Sequence, residues 1–481
     1  MNFFKRWQNL FLVTMTILLC YYPLCYGIDN FCIQLWDESR NVINSIEMLQ
    51  NKHWFVRYFE GKPDMWELKP PFLIWLQALS FKIFGIHEWS ARLPSMVFSM
   101  ATVFLLLWMS LKISHSMVAG ALAAIILVSS EGYVGPHVAR SGDHDVVLTF
   151  FSTAMVFSAY LFFKTDQKKY LLLIFLSLFF GWLTKSIIIF MFLPGIFIWS
   201  LVQKKFLKVM VNLQFWIGLF LTLGVMLAYY LWRESQSPGY IHEVYMNEWF
   251  GRYFDMSDNY HYQHDSFWYY WNGFFNTRFY PFISGLLICL LLIMFIKKLA
   301  FRSFLIYLSL AFAFYFLVIS AGSKNFWYDA PLYPIAAFIL GLMIYNFYHF
   351  IQDKVDQKAI LILSLCLIYP NYLQSYLIAT EPDQREFYGI ESVSYYLKYE
   401  DSKLPKNLIV LYEGTATPLN FYRIKRQRKD IKIKAFHELK LNDMVLHHPH
   451  YFKDSLNKKF ETELVHKAKI CEIRKLVALK N

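Results

Sequence analysis

The residues best suited to chemistry are carboxylates and cations at the ends of apolar stretches. The first group, Asp37-Glu38-Ser39-Arg40, comes just after an apolar run. A carboxylate held at a membrane surface can act as a general base or position an acceptor; acidic residues at a helix start can also simply complement its dipole. Glu67-Leu68-Lys69-Pro70-Pro71 comes next. Its prolines stiffen the backbone and leave Lys69 at the start of a helix, where the ammonium can hold a lipid phosphate or reach for headgroups. In Arg140-Ser141-Gly142-Asp143-His144-Asp145 the two acids stand two positions apart. On a helix they would not share a face, so only one is expected to point into a site, with Ser141 or Asp143 as an alternative helix cap. A His between two Asp is a pattern that a divalent cation can use, but no further ligand stands beside it in sequence. Thr184-Lys185 puts a cation in a turn between apolar helices, where charge is costly enough to suggest a role. Glu248 and Arg252 are either a plain helical ion pair or, through the planar fork of Arg252, a second phosphate ligand. Lys324, beside Asn325, adds another cation.

These groups have to be positioned by a membrane-embedded scaffold. The 481 residues are 57% hydrophobic and 20% aromatic with only 17% charge, more apolar and less charged than a soluble domain. Apolar runs of about 18 or more residues, long enough to cross a hydrocarbon core, recur up to about residue 378. They place about eleven spans at 8–28, 91–111, 117–135, 145–163, 169–183, 185–202, 211–232, 279–296, 303–320, 328–349 and 359–378. The first follows Lys5 and Arg6 but lacks a small-residue cleavage site, so it reads as an uncleaved span. The net charge of +12 does not point to nucleic acid, because Lys and Arg cluster in the C-terminal tail and in alternate short loops. Those loops hold Lys112; Lys164, Lys168 and Lys169; Lys204, Lys205 and Lys208; Lys297, Lys298 and Arg302; and Lys354 and Lys358. Basic residues on one side orient the chain with its N-terminus cytoplasmic. The candidate chemical groups then fall together on the opposite face, in loops 29–90, 136–144, 184–185 and 233–278 and in Ser323-Lys324-Asn325.

Residues 1–379 read as the membrane domain, with 29–90 as its first external loop. Val42, Ile46 and Leu49 share a helical face there, and Trp54, Trp66, Trp75 and Trp89 suit the headgroup zone, so interfacial helices are expected. Pro71 to Phe84 is too short to span. Residues 380–481 read as a small extracytoplasmic α/β domain, with a strand at Leu408 to Tyr412, a turn at Glu413-Gly414 and a helix near Pro418 to Arg426. The six cysteines have no metal-type spacing; a Cys32–Cys471 disulfide would require both to face an oxidising compartment.

Several strings occur in an order that resembles the bacterial membrane glycosyltransferases, in particular the aminoarabinose transferases of lipid A and the protein O-mannosyltransferases. They are Asp37-Glu38-Ser-Arg40, Glu67-Leu-Lys69-Pro-Pro-Phe-Leu-Ile-Trp, Ala91-Arg92-Leu-Pro94-Ser, Arg140 to Asp145 with the following Val-Val-Leu-Thr-Phe-Phe, Leu183-Thr-Lys185, Glu248 with Arg252, and Tyr328 with Pro331 and Pro334. The likeness spans most of residues 30–340 and is weak in the tail. It implies a mainly α, polytopic GT-C fold in a bacterial inner membrane, with a site facing the periplasm or exterior. The implied donor substrate is a polyprenyl-phosphate-linked sugar, transferred with inversion to a lipid A, glycan or protein acceptor. On this resemblance Asp37, with Glu38 beside it, and Asp145 are the catalytic acids, Lys69 and Arg252 hold the donor phosphate, and Lys185 contributes; the reading of the residues themselves adds Arg40, Asp143, Glu248 and Lys324 to the expected substrate-binding set. The extra Asp143 departs from the pattern and leaves the second acid open, and a divalent cation is an option rather than a requirement.

A secondary transporter is the principal rival. It would place charges near mid-bilayer on broken helices of repeated halves, whereas these acids and bases stand at span ends.

Overall fold

The computed structural model describes residues 2–250, 266–296, 300–351, 368–377, 391–399, 404–412, 416–467 and 471–480. Among them, six helices are long and apolar enough to cross a membrane: Glu88–Ser114, His144–Thr165, Lys168–Val202, Leu213–Gln236, Arg302–Ala321 and Phe326–Phe350. A seventh arises if Tyr269–Arg278 and Phe282–Phe295, bent by 119° to each other, count as one. This count, made of the described residues by length and composition, is lower than the expected eleven for three reasons. Asn9–Cys25 and Val118–Val128 fall short of a full span. Lys168–Val202 meets the test as one stretch, although the chain turns inside it at Ser186 (φ 53°) and Ile189 packs back on Gly181. Of 359–378, only 368–377 lie within the described residues.

The helix His144–Thr165 is central: 89% of its apolar window is buried, against 17% for Leu213–Gln236, which leaves Ile217, Phe220 and Leu221 bare on a lipid-facing side. Small residues allow helices to approach closely, as in membrane bundles generally. A Cβ on Gly120 would lie 2.6 Å from Leu106 O, and one on Gly341 would lie 2.5 Å from Ala119 O.

The first loop is built on two short helices and a hairpin. Asp37–Asn51 carries Asp37 and Glu38 in its first turn, where acids complement the helix dipole, and buries Val42, Ile43 and Ile46. The hairpin pairs β1 (Tyr58–Phe59) with β2 (Lys62–Pro63). Phe72–Phe84, following the two prolines, has 13 residues and ends at Gly85 (φ 81°).

The C-terminal part is a five-stranded sheet of β3 (Leu408–Leu411), β4 (Lys432–Lys434), β5 (Met444–His447), β6 (Phe460–Lys467) and β7 (Glu472–Leu479), in the order β4-β3-β5-β7-β6. β3 runs parallel to both neighbours, and β7 runs antiparallel to both of its own. The expected strand and helix appear at Leu408–Leu411 and Thr417–Lys425; Glu413-Gly414 lies outside the described residues. One face of this sheet shares a hydrophobic cluster with the Asp37–Asn51 helix, joining Val42, Ile43 and Ile46 to Leu408, Val410 and Phe421. Polar contacts add to it: Ser39 Oγ donates to Thr417 Oγ1 at 2.9 Å, and Ile33 N donates to Tyr422 OH at 3.0 Å. The C-terminal sheet therefore buttresses the element that presents Asp37. Cys32 and Cys471 are both buried within this shared cluster.

Candidate active site

The segment Arg140 to Asp145 reaches the first loop through its glycine. Gly142 N donates to Glu38 Oε1 (2.7 Å), and Gly142 O accepts from Gln77 Nε2 (3.1 Å). A Cβ there would lie 2.7 Å from Gln77 Nε2 and 3.3 Å from Ala91 O, so any side chain would have to displace the Gln77 amide from its bond to Gly142 O. The three residues that follow each touch a different partner. Asp143, the residue preceding the helix His144–Thr165, lies 2.9 Å from His137 Nδ1 and accepts from Ser141 Oγ at 3.1 Å. His144 Nε2 is 3.0 Å from Arg57 Nη2. Asp145 Oδ1 accepts from Lys185 Nζ at 2.5 Å, and that ammonium stands 4.7 Å above the Tyr328 ring.

Each partner leads on to other groups. Asp37, half-exposed, has a carboxylate oxygen that lies with ligand atoms of His137 and Asp143 in a group no more than 4.8 Å across. Arg57 stands 3.6 Å from Glu67, which accepts from Lys69 Nζ at 2.6 Å, and Lys69 is 3.8 Å from Glu248. Glu248 and Tyr328 line a pocket with Ile187, Ile188, Met191, Ile319, Gly322 and Ser323. One tripeptide thus joins an acidic group, a cationic group and an apolar pocket. The spacing argument that only one of Asp143 and Asp145 would be used does not hold: Asp143 precedes the helix in extended conformation, so the helical angle between the two does not apply.

The electrostatics follow from burial and pairing. Burial pushes the Asp143 carboxyl up to about 6 against the pull of His137, and Asp37 and Glu38 push the same way. Burial opposes a charge on His137, yet Asp143 raises the ring above its ordinary value. Burial also opposes a charge on Glu67, but Lys69 and Arg57 hold its carboxyl well below the usual range. Two residues of the acidic group's surroundings sit at positive φ, Trp36 at 71° and His137 at 64°. For a residue as bulky as Trp this is an outlier, of the kind that gathers at functional sites.

Three residues expected to touch substrate are otherwise engaged. Glu38 is fully buried, with Arg92 Nε at 2.6 Å and Nη2 at 2.9 Å, and it also accepts from Gln34 N at 2.8 Å. Its carboxylate locks the first loop to the Glu88–Ser114 helix. Arg40 forms a two-pronged bridge to Asp64 (2.9 and 2.7 Å) and stacks 4.0 Å over Phe59, which fastens the hairpin. Lys324 donates into its own turn, to Ser320 O at 2.7 Å and to Gly322 O. Arg252 lies outside the described residues. Arg57 and His137 were missed, since each stands in a loop without a recognisable spacing. Arg57 is 2% exposed, and its Nε and Nη1 have no hydrogen-bond partner among the described residues. A buried guanidinium with idle donors is equipped to take an oxyanion.

Comparison with known proteins bears on the fold that holds these groups. The family model described as dolichyl-phosphate-mannose-protein mannosyltransferase matches residues 68–232. The crystal structure of ArnT from Cupriavidus metallidurans bound to undecaprenyl phosphate superposes over 97% of both chains, with a TM-score of 0.71 at 14% identity. The chain has the GT-C fold. An archaeal oligosaccharyltransferase, AglB from Archaeoglobus fulgidus, in complex with an inhibitory peptide and a dolichol-phosphate, shares it at a TM-score of 0.53 and 12% identity, over 89% of this chain and 64% of that one. In sequence, the undecaprenyl phosphate-alpha-4-amino-4-deoxy-L-arabinose arabinosyl transferase of Wigglesworthia glossinidia brevipalpis is 29% identical over 207 residues, 40% of this chain. That alignment spans only 34% of the relative's own length. The range matched by the family model includes Lys69, Asp143, Asp145 and Lys185.

Proposed function

We propose that this chain is an inverting glycosyltransferase that moves a sugar from a polyprenyl-phosphate donor to a lipid, glycan or protein acceptor on the non-cytoplasmic face of the membrane. The observation that carries the reading is the convergence on Asp143-His144-Asp145. Through it, the half-exposed Asp37 carboxylate connects with the Arg57–Glu67–Lys69–Glu248 cluster and with the Lys185–Asp145 pair. The match to the dolichyl-phosphate-mannose-protein mannosyltransferase family, and the lipid phosphates bound in the ArnT and AglB structures, support a lipid-phosphate donor. A bacterial inner membrane and a site on its outer side rest on the basic loops and on the likeness to the bacterial relatives.

In this mechanism the bond between the anomeric carbon and the phosphate oxygen breaks while an acceptor oxygen attacks from the opposite face, which inverts the configuration. Lys69 and Arg57, joined by Arg252, hold the departing phosphate as its charge grows; fixed charges of this kind act most strongly when already in place before the reaction. Asp37 takes the acceptor's proton, a contribution of roughly 10²- to 10⁴-fold. Lys185 is held by Asp145 beside Tyr328, which lines the pocket whose Ile187, Ile188, Met191 and Ile319 walls suit the first apolar units of the lipid. Asp145, paired with Lys185, orients that cation in this scheme and does not itself take a proton.

Native mass spectrometry of the purified chain with undecaprenyl phosphate tests the donor half of the proposal. A bound lipid phosphate is expected, with at least tenfold weaker binding in Lys69→Met, because a charge-assisted phosphate contact contributes roughly 1.5–3 kcal/mol. No binding, or binding indifferent to Lys69, contradicts it.

A further inference from the structure

We infer that Arg278 and Asp329, which the transfer scheme leaves out, are positioning residues: as one buried ion pair they set a turn whose two aromatic rings seat the partners of both Asp143 and Asp145. The turn is Phe326–Asp329, with Asn325 before it. Its two middle residues face different ways, since their ring planes stand at 89°. Trp327 stacks on the His137 imidazole at 4.0 Å and 20°, and His137 Nδ1 lies 2.9 Å from Asp143 Oδ2. The Tyr328 ring lies 4.7 Å from the Lys185 ammonium, which donates to Asp145 Oδ1 at 2.5 Å. Four side chains from separate stretches fix this turn. Arg278 donates to Phe326 O and pairs with Asp329 Oδ2 at 2.7 Å, and Tyr333 OH donates to the same oxygen at 3.0 Å. Tyr270 OH donates to Asn325 O at 3.1 Å, and Tyr315 OH donates to Tyr328 O at 3.0 Å.

Asp329 is fully buried and Arg278 nearly so. Taking such a pair out of water is costly, and replacing it with apolar side chains of similar volume is often neutral or stabilising. Stability alone therefore does not account for it; what paired charges with hydrogen bonds add is a fixed direction. The chain also leaves room for the cluster. A Cβ at Gly132 would collide with the Tyr333 hydroxyl, and one at Gly273 would lie 2.8 Å from Arg278 Cζ, so a side chain at either position displaces a member. The two rings bear on both halves of the site at once. His137 and Asp143 group with the Asp37 carboxylate, while Tyr328 stands between Lys185 and the apolar pocket. Moving reacting groups by about 1 Å can cost roughly 100-fold in rate. Lys69 and Arg57 are fixed by Glu67 and His144 instead, so the loss is expected in kcat and not in the KM for the lipid donor. That kinetic role rests on the glycosyl-transfer reading; the hold of the pair on the two rings does not.

The test follows the full chain, labelled with fluorotryptophan and held in lipid nanodiscs, by fluorine NMR, melting and steady-state transfer. The Trp327 resonance is assigned by its loss in Trp327→Phe, and its stacking contact by the shift that His137→Ala produces. In the double variant Arg278→Met/Asp329→Leu, melting is expected to stay near wild type while the Trp327 resonance moves and kcat falls roughly 10- to 100-fold at an unchanged KM for the donor. Tyr333→Phe removes one bond to Asp329 and keeps the packed ring. It is expected to do the same to a smaller extent, and it decides the case where the double variant does not fold. A Trp327 resonance unmoved in both variants overturns the proposal, and so does wild-type kcat, or a loss confined to KM, in a variant whose resonance has moved. A moved resonance in a protein whose wild type transfers no sugar from any lipid-phosphate donor upholds the pair's hold on the rings and removes the glycosyl-transfer reading instead.

Discussion

Asp37 and Glu38 are neighbours of the same charge, and the structure assigns them opposite consequences on mutation. Glu38 is fully buried, bonded twice by Arg92 and twice by backbone N–H groups. Glu38→Gln keeps the shape but strands the Arg92 guanidinium, which retains only carbonyl partners at Ile28, Phe31 and Cys32. Breaking a buried pair from one side costs roughly 3–5 kcal/mol; because those carbonyls remain, we expect the lower end, about 3 kcal/mol. Asp37 is half-exposed, so Asp37→Asn is expected to change stability by less than about 1 kcal/mol while lowering transfer roughly 10²- to 10⁴-fold. The assay pairs denaturant titration in mixed micelles with single-turnover transfer on the folded fraction. A Glu38→Gln protein as stable as wild type but inactive would refute the division of roles, as would an Asp37→Asn protein that unfolds early and transfers normally when folded.

Three further outcomes follow from the same contacts. The Glu38 and Glu67 carboxyls titrate below their unfolded range of about 4.3, so the stability they add is complete above that pH and is lost as pH falls through their folded values. Melting temperature should drop below about pH 4, with a smaller drop in Glu38→Gln; an equal drop in that variant would contradict it. Lys185→Met leaves Asp145 buried and unpaired, at a cost of roughly 3–5 kcal/mol, and adding Asp145→Leu should restore most of the stability without restoring transfer, as measured by melting and turnover. Arg40→Met, which cuts the bridge to Asp64, should destabilise the first loop modestly and leave the KM for the lipid donor unchanged; a large rise in that KM would return Arg40 to the substrate.

How much of this was legible in the sequence depends on how local each signal was. Apolar runs and acid- or cation-bearing span ends are local, and they located Asp37, Lys69, Asp143, Asp145, Lys185 and Glu248 before any contact was known. Span counting was less secure, because hydropathy responds to apolar content and not to continuity. The break at Ser186 was legible, because Lys185 interrupts the apolar run at the expected turn, whereas the 119° bend after Arg278 was not. Glu38, Arg40 and Lys324 looked as reactive as their neighbours in sequence, since only tertiary partners reveal that Arg92, Asp64 and a turn's carbonyls already occupy them. Arg57 and His137 failed in the opposite sense, unremarkable in their loops until packing set them beside His144 and Asp143. The C-terminal strands could be read from their alternation with helices. Their docking against the Asp37–Asn51 helix could not, because it joins cluster partners from opposite ends of the chain.

The most direct measurement is sugar transfer by the purified chain in proteoliposomes, supplied with polyprenyl-phosphate sugars and a panel of lipid, glycan and peptide acceptors, with the anomeric configuration of the product read by NMR. The account requires transfer with inversion that collapses in Asp37→Asn and Lys69→Met while both variants remain folded. Retention of configuration, transfer indifferent to both residues, or solute uptake without transfer would contradict it.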